Sequence, residues 1–333
     1  MTSLGIADNI FGLYWHLMRP VLSLIAVFLA FESALFAGDT VDHHQHLYSP
    51  AAGARSMPGP KGISAEELIA GMDSAGIRRA AVLSVAYSFG NPHAPAVADE
   101  YEKVRAENDW TSQQVARYPR RLVGFCSINP IKDYALKEIA RCAQIRNLRT
   151  GLKLHFGNSD VDVNDPAQLE RLRLVFRAAN KNRMALVVHM RANQSQHRPY
   201  GAKEARVFVE QLLPEVPRIV VQIAHLAGGG GYDQVTEEAL GVFVDAIKRG
   251  DPRTRNVYFD VSGIAAPGLW EARAQDIAAR IREIGLDRML YGSDAPVLHN
   301  SPGEARARWR QLPLTAGEFD AIEGNVAPYL KRK

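Results

Sequence analysis

The sequence predicts an α/β protein: a single (β/α)8 barrel with a metal site at the C-terminal ends of its strands. Three observations predict it. From residue 40 onward, eight short β-branched apolar runs alternate with eight longer amphipathic segments, the pattern of βα units around a parallel sheet. Runs such as Ala185-Leu186-Val187-Val188 are apolar at every position, as in strands buried on both faces. Finally, histidines recur at the ends of those runs, although helical surfaces are the expected home for scattered histidines.

The first strand, predicted at 41–46, carries Asp42-His43-His44-Gln45-His46. Side chains on a strand alternate faces, so His44 and His46 point the same way and can reach one cation, with Asp42 on the same face. Neutral imidazole is the commonest protein ligand for zinc and similar divalent metals. The following strands are predicted at 79–86, 121–128, 149–155, 184–190, 218–225, 256–262 and 288–294. Helical patterns between them fall near 65–75, 97–118, 134–146, 166–181, 203–213, 235–248 and 269–284, with a last helix over 315–331. An open doubly wound sheet is the competing architecture, but its first strand leads into a Gly-rich phosphate turn. Here the first strand leads into His44 and His46. No Pro-, Gly- or Ser-rich linker divides the chain, and 333 residues suffice for one large core.

The first 37 residues are a different material. An apolar run over 21–31, preceded by Arg19 and closed by Glu32, is too short to span a bilayer, which takes about 20 residues. It suits the apolar region of a secretory signal. Met18 reads as the start, Ala34-Leu35-Phe36-Ala37 as the processing region, and Gly38 as the first mature residue, giving a leader at 1–37 and a barrel at 38–333. Leu35 is a poor residue where a small one is preferred, so an uncleaved membrane anchor is the alternative to an exported, periplasmic or secreted protein. A buried helix of a cytoplasmic protein is the third reading.

Hydrophobic content of 47% and charged content of 23% describe a globular enzyme rather than a disordered or fibrous chain. The net charge of +4 is spread through helical stretches among Glu and Asp, which reads as solvated helix faces rather than a nucleic-acid footprint. The two cysteines, Cys126 and Cys142, are not spaced for a metal cluster. Two separate buried thiols are expected, with a disulfide as the alternative in an oxidising compartment.

The active site of such a barrel lies at the C-terminal ends of its strands. His44 and His46 end the first strand, His155 the fourth, His189 the fifth, His225 the sixth and Asp294 the eighth. For any one of these residues a satisfied core or loop side chain is the ordinary reading. For the set, a metal site explains more. Together, Val41-Asp42-His43-His44-Gln45-His46, Gly151-Leu152-Lys153-Leu154-His155, Leu186-Val187-Val188-His189, Ile223-Ala224-His225-Leu226-Ala227-Gly228, Leu290-Tyr291-Gly292-Ser293-Asp294-Ala295-Pro296 and the tail Gly324-Asn325-Val326-Ala327 resemble the amidohydrolase superfamily, in the branch of amidohydrolase-related proteins.

The resemblance implies that His44, His46, His189 and Asp294 hold a divalent metal, usually zinc, which lowers the pKa of its bound water. It implies Asp294 as ligand and general base, and His225 as a catalytic contact to substrate or water, or as a ligand to a second metal. Lys153 and His155 share a strand face. In binuclear relatives a lysine on this strand carries a carbamate that bridges two metals, and the alternative is an unmodified cation that binds a substrate anion. One metal is preferred to two. Asp42 orients an imidazole or, as the alternative, merely caps backbone or pairs with Lys153.

Among loop residues, Arg191 is placed to clamp a carboxylate, with a surface arginine as its bland alternative. His197 and Arg198 follow it in a polar loop, and Tyr87 and His299 are candidates for the pocket lining. Ser262 and Ser293 read as barrel hydrogen-bonders, since neither sits in a nucleophile elbow. The function expected is metal-dependent hydrolysis of an amide, lactone or ester bond of a small molecule by metal-bound hydroxide. Non-oxidative decarboxylation on the same scaffold is the first alternative, and a non-catalytic metal-binding barrel the second. The expected partner is a small-molecule substrate, with no nucleic acid, no membrane beyond the N-terminal anchor, and self-association of the chain allowed.

Overall fold

In the computed structural model the described residues are 40–56, 61–193, 198–266, 268, 270–295 and 301–331. The leader reading for residues 1–37, His197 and His299 therefore lie outside them. Eight parallel strands follow one another in chain order: β1 Val41–His46, β2 Arg79–Leu83, β3 Leu122–Ser127, β4 Gly151–His155, β5 Ala185–His189, β6 Val221–Ile223, β7 Val257–Asp260 and β8 Met289–Leu290. Hydrogen bonds from His43 N–H to Tyr291 O (2.9 Å) and from Asp294 N–H to His44 O (2.8 Å) join the last strand region to the first. The result is the expected (β/α)8 TIM barrel.

Its helices are α1 Pro50–Ser56, α2 Ala65–Ser74, α3 Glu100–Ala116, α4 Ala135–Cys142, α5 Pro166–Lys181, α6 Ala202–Val207, α7 Gln234–Lys248, α8 Ala274–Ile284, α9 Pro302–Trp309, α10 Ala316–Gly324 and α11 Pro328–Lys331. Several begin where local chemistry dictates. Ser64 and Glu67 form a capping box on α2, as do Thr315 and Glu318 on α10. Asp165 caps α5 ahead of Pro166, and Asp233 caps α7.

Two cores result. The larger lies between strands and helices and includes Met72, Phe176, Phe208 and Phe243. The smaller fills the barrel with Val41, Ala81, Leu83, Phe125, Val187 and Leu290, and is closed at its lower end by Ala327, Tyr329 and Leu330. Gly151 is required here, because a Cβ on it would lie 2.0 Å from a ring carbon of Phe125.

Several expectations are corrected in detail. The second, sixth and eighth strands are shorter than their apolar runs, which continue into the loops of the barrel mouth. The helix expected over 315–331 breaks into α10 and α11 at Pro328, which cannot continue the hydrogen-bond ladder. Two short helices, α1 and α9, replace expected loops; each starts at a proline. Cys126 and Cys142 are joined by a disulfide, not separate thiols, because β3 and α4 bring their Cα atoms to 6.1 Å. No helix among the described residues is long and apolar enough to cross a membrane.

Candidate metal centre

The site assembles where β1, β4, β5, β6, β7 and β8 end. Ligand atoms of His44, His225 and Asp294 all lie within 4.8 Å of one another, and all three residues are buried. His46 joins them, its Nε2 3.3 Å from Asp294 Oδ1, while His44 Nε2 is 3.7 Å from the same oxygen. His189 completes the wall, its ring 4.9 Å from that of His225 and stacked on His155 at 3.9 Å. Tyr87, buried in the turn after β2, lies 5.0 Å from the His155 ring.

Hydrogen bonds aim the imidazoles. His46 Nδ1 meets Leu83 O at 2.8 Å and His225 Nδ1 meets Ser262 O at 2.8 Å, so in both the Nδ1 proton is fixed and Nε2 is left for the centre. His44 Nδ1 lies 3.0 Å from Asp260 Oδ2. The same carboxylate accepts from Gln222 Nε2 (2.7 Å), from the His225 backbone N–H (3.0 Å) and from Ser262 Oγ (2.5 Å). Asp260 thus ties together the two histidines from β1 and β6. Sequence reasoning missed it and Gln222. The signal was present, since Val257-Tyr258-Phe259-Asp260 ends a strand in a carboxylate as the eighth run does.

Asp42 resolves toward its backbone alternative. It accepts from His44 N–H and Ser293 N–H, both at 3.0 Å, and from Gln45 Nε2 at 2.6 Å, which locks β1 against the segment before Asp294. Burial raises its pKa to about 6 against those bonds. Lys153 approaches His44 rather than Asp42: its Nζ is 3.2 Å from His44 Nε2. Burial lowers the Lys153 ammonium to about 8, opposed by Asp294 and Asp260.

The electrostatics favour ligand-competent side chains. Burial, aided by Lys153, lowers His44 to about 3, and burial also holds His155 and His189 well below the usual histidine range. Burial opposes ionisation of Asp294, and the histidines His44, His225 and His46 packed beside it set it below the usual carboxylate range. Two buried atoms here have no hydrogen-bond partner, His189 Nε2 and Asp294 Oδ1. A cluster of buried imidazoles, one carboxylate and buried ligand atoms without a hydrogen-bond partner fits a divalent cation. The backbone is strained at the same place: His225, Leu226, Ala227 and Asp294 all have φ between 50° and 65°.

His43 stands apart. Its Nδ1 meets Tyr291 O at 3.0 Å and its Nε2 accepts from Ala327 N–H at 3.2 Å, so it anchors the chain end under the barrel. Arg191 is not a free clamp. It holds Asp233 through Nη1 (3.0 Å) and Nη2 (2.8 Å), and its Nε donates to Asn193, which fixes the start of α7. Arg198 is likewise paired with Asp160.

The amidohydrolase family profile matches residues 41–327. No curated protein sequence matches the chain. Among solved structures, 5-carboxyvanillate decarboxylase from Sphingomonas paucimobilis is 18% identical with a TM-score of 0.58, covering 86% of this chain and 96% of its own. A probable 2-pyrone-4,6-dicarboxylic acid hydrolase from Acinetobacter baumannii, with citric acid bound, is 17% identical with a TM-score of 0.57, covering 85% and 96%. A dihydroxybenzoic acid decarboxylase from Polaromonas, with bound manganese and an inhibitor, is 17% identical with a TM-score of 0.56, covering 86% and 94%.

Proposed function

The chain belongs to the amidohydrolase family, and on that footing we propose that it is a metal-dependent hydrolase of an amide, lactone or ester bond in a small molecule. The observation that carries the reading is the pair of buried atoms without a hydrogen-bond partner, His189 Nε2 and Asp294 Oδ1, set among the clustered imidazoles. His44, His46, His189 and Asp294 would hold the cation, and His225 adjoins them. A bound divalent metal supplies Lewis acidity and acidifies a coordinated water.

The chain's own residues do the rest. Asp294, kept ionised, takes the proton of the attacking water at Oδ1 and returns it to the leaving group. Asp260 holds His44 and His225 in place. His225 orients the reacting carbonyl or the water. Tyr87 and His155 narrow the mouth and limit access of bulk water. Zinc is the metal we propose, with manganese, present in one structural relative, as the alternative.

Decarboxylation is the second reading. Lys153, buried and 3.2 Å from His44 Nε2, offers a cation beside the metal ligands that suits a substrate carboxylate. Reaction in 18O-labelled water separates the two. Hydrolysis places label in the product acid, and release of CO2 with no label in the other product contradicts it. We also propose export, supported by the Cys126–Cys142 disulfide, since such bonds persist in oxidising compartments.

A further inference from the structure

Because all the strands are parallel, every residue that enters a strand lies at one end of the barrel, opposite the candidate metal centre. Arginine stands at the start of each strand from β2 to β8, or within three residues before it, from Arg79 round to Arg288. Charges scattered in the sequence are thereby gathered on one face. Some brace the loops: Arg121 donates to Arg78 O and Ile77 O, and Arg288 donates to Thr254 O and Val257 O. Others do not. Arg120, Arg149, Arg218 and Arg255 are exposed, and among the described residues none of them forms an ion pair. Toward this face Asp73 is bound to Arg121, Asp251 to Arg253 and Glu215 to Arg173 and Arg177, and Asp287 is exposed before β8.

Both termini of the barrel meet this face. Thr40 accepts from Arg78 N–H as the chain enters β1, and the residues before it include the apolar run over 21–31. At the other end α11 closes the barrel, Arg79 Nη2 donating to Leu330 O. We propose that this strand-entry face is a docking surface for an anionic phospholipid bilayer. A ring of guanidinium groups spread round a barrel end suits a planar array of lipid phosphates and carboxylates. Where the leader is kept as an uncleaved anchor, the alternative to processing before Gly38, a basic surface together with an apolar segment is the two-part signal that stable peripheral attachment requires. Docked so, the barrel turns its metal centre away from the lipid, toward the aqueous side where small substrates diffuse.

The test compares partitioning of the full chain onto vesicles of phosphatidylcholine alone and of phosphatidylcholine mixed with phosphatidylserine, in low and high salt. The variant Arg120→Gln/Arg149→Gln/Arg218→Gln/Arg255→Gln is run beside a charge-matched control, Lys103→Gln/Arg105→Gln/Lys137→Gln/Arg171→Gln, near the N-terminal ends of α3, α4 and α5. Attachment through the apolar run alone does not depend on lipid charge. The proposal predicts that the wild type and the control prefer the anionic vesicles by at least about tenfold in low salt, and that the preference vanishes in high salt. The entry-face variant loses the preference while its circular dichroism and metal content match wild type. Equal partitioning of the wild type onto both vesicles overturns the proposal, as does a preference the entry-face variant keeps. Displacement of the wild type from anionic vesicles by duplex DNA at lower concentration than lipid assigns the ring to nucleic acid and also overturns it.

Discussion

Nδ1 of His44 lies 3.0 Å from Oδ2 of Asp260, a contact that crosses from β1 to β7 and sets which nitrogen of His44 faces the centre. With an ionised carboxylate as acceptor, the proton sits on Nδ1, and Nε2 presents a lone pair toward Lys153 and Asp294. The other oxygen of Asp260 holds the His225 backbone, so one buried carboxylate positions two of the residues assigned to the metal centre.

Asp260→Asn keeps the shape but turns one of the two acceptor oxygens into an amide donor, so His44 Nδ1 and the His225 N–H can no longer both be accepted. Metal affinity should fall roughly 10- to 100-fold, the usual cost of losing an outer partner of a ligating histidine. Titration against a chelating dye measures it, with circular dichroism as the control on fold. Unchanged affinity would mean that Asp260 serves only the core.

His43 and His189 should respond in opposite ways. His189→Ala is expected to lower the bound metal per chain while leaving the barrel folded. His43→Ala strands Ala327 N–H, while Tyr291 O keeps the backbone N–H of residue 43; the loss costs about 1–3 kcal/mol of stability and should leave metal content intact. Elemental analysis and urea unfolding of both variants check the contrast. Full metal in both would remove His189 from the ligand set.

Much of this was legible in the sequence, for a geometric reason. Parallel strands with period-two side chains send His44, His46, His155, His189, His225 and Asp294 to one mouth whatever the details of packing. Partnerships across the barrel are another matter. Which carboxylate takes His44 Nδ1 depends on how β1 and β7 face each other through the interior, and no spacing within either strand encodes that, so Asp42 drew the attention that Asp260 merited. Arg191 shows the same limit. Its position after His189 was readable, but its capture by Asp233 depends on where α7 begins. The basic face was hidden because one arginine per βα unit looks scattered until the strands are aligned.

Glu107 on α3 gives a pH-dependent stability. It is buried, accepts from Ser49 N–H at 3.0 Å and Ser49 Oγ at 2.5 Å, and burial raises its pKa above 4.5 against those bonds. The folded protein therefore keeps this proton to higher pH than the unfolded chain does. Stability from this group is full below about pH 4.5 and declines as the pH rises through the folded-state value. Glu107→Gln keeps the shape without the titration. Urea unfolding across that range should show wild type losing ground to the variant as pH rises; a constant difference would contradict the shift.

The disulfide closes a loop of 16 residues between β3 and α4. Replacing both cysteines with alanine should cost about 3 kcal/mol by loop-closure entropy. Thiol titration of the denatured, unreduced protein should find no free cysteine. Two free thiols, with no loss of stability in the double variant, would reinstate the separate cysteines expected from the sequence.

The measurement that bears most directly on the whole account is metal content together with thermal unfolding before and after chelation. The arrangement of His44, His46, His189 and Asp294 predicts about one divalent metal per chain. Chelation should lower the melting temperature, and restoring zinc or manganese should raise it again. Protein purified without metal, whose melting temperature is unmoved by chelator or by added metal, would contradict a metal centre at the mouth of this barrel.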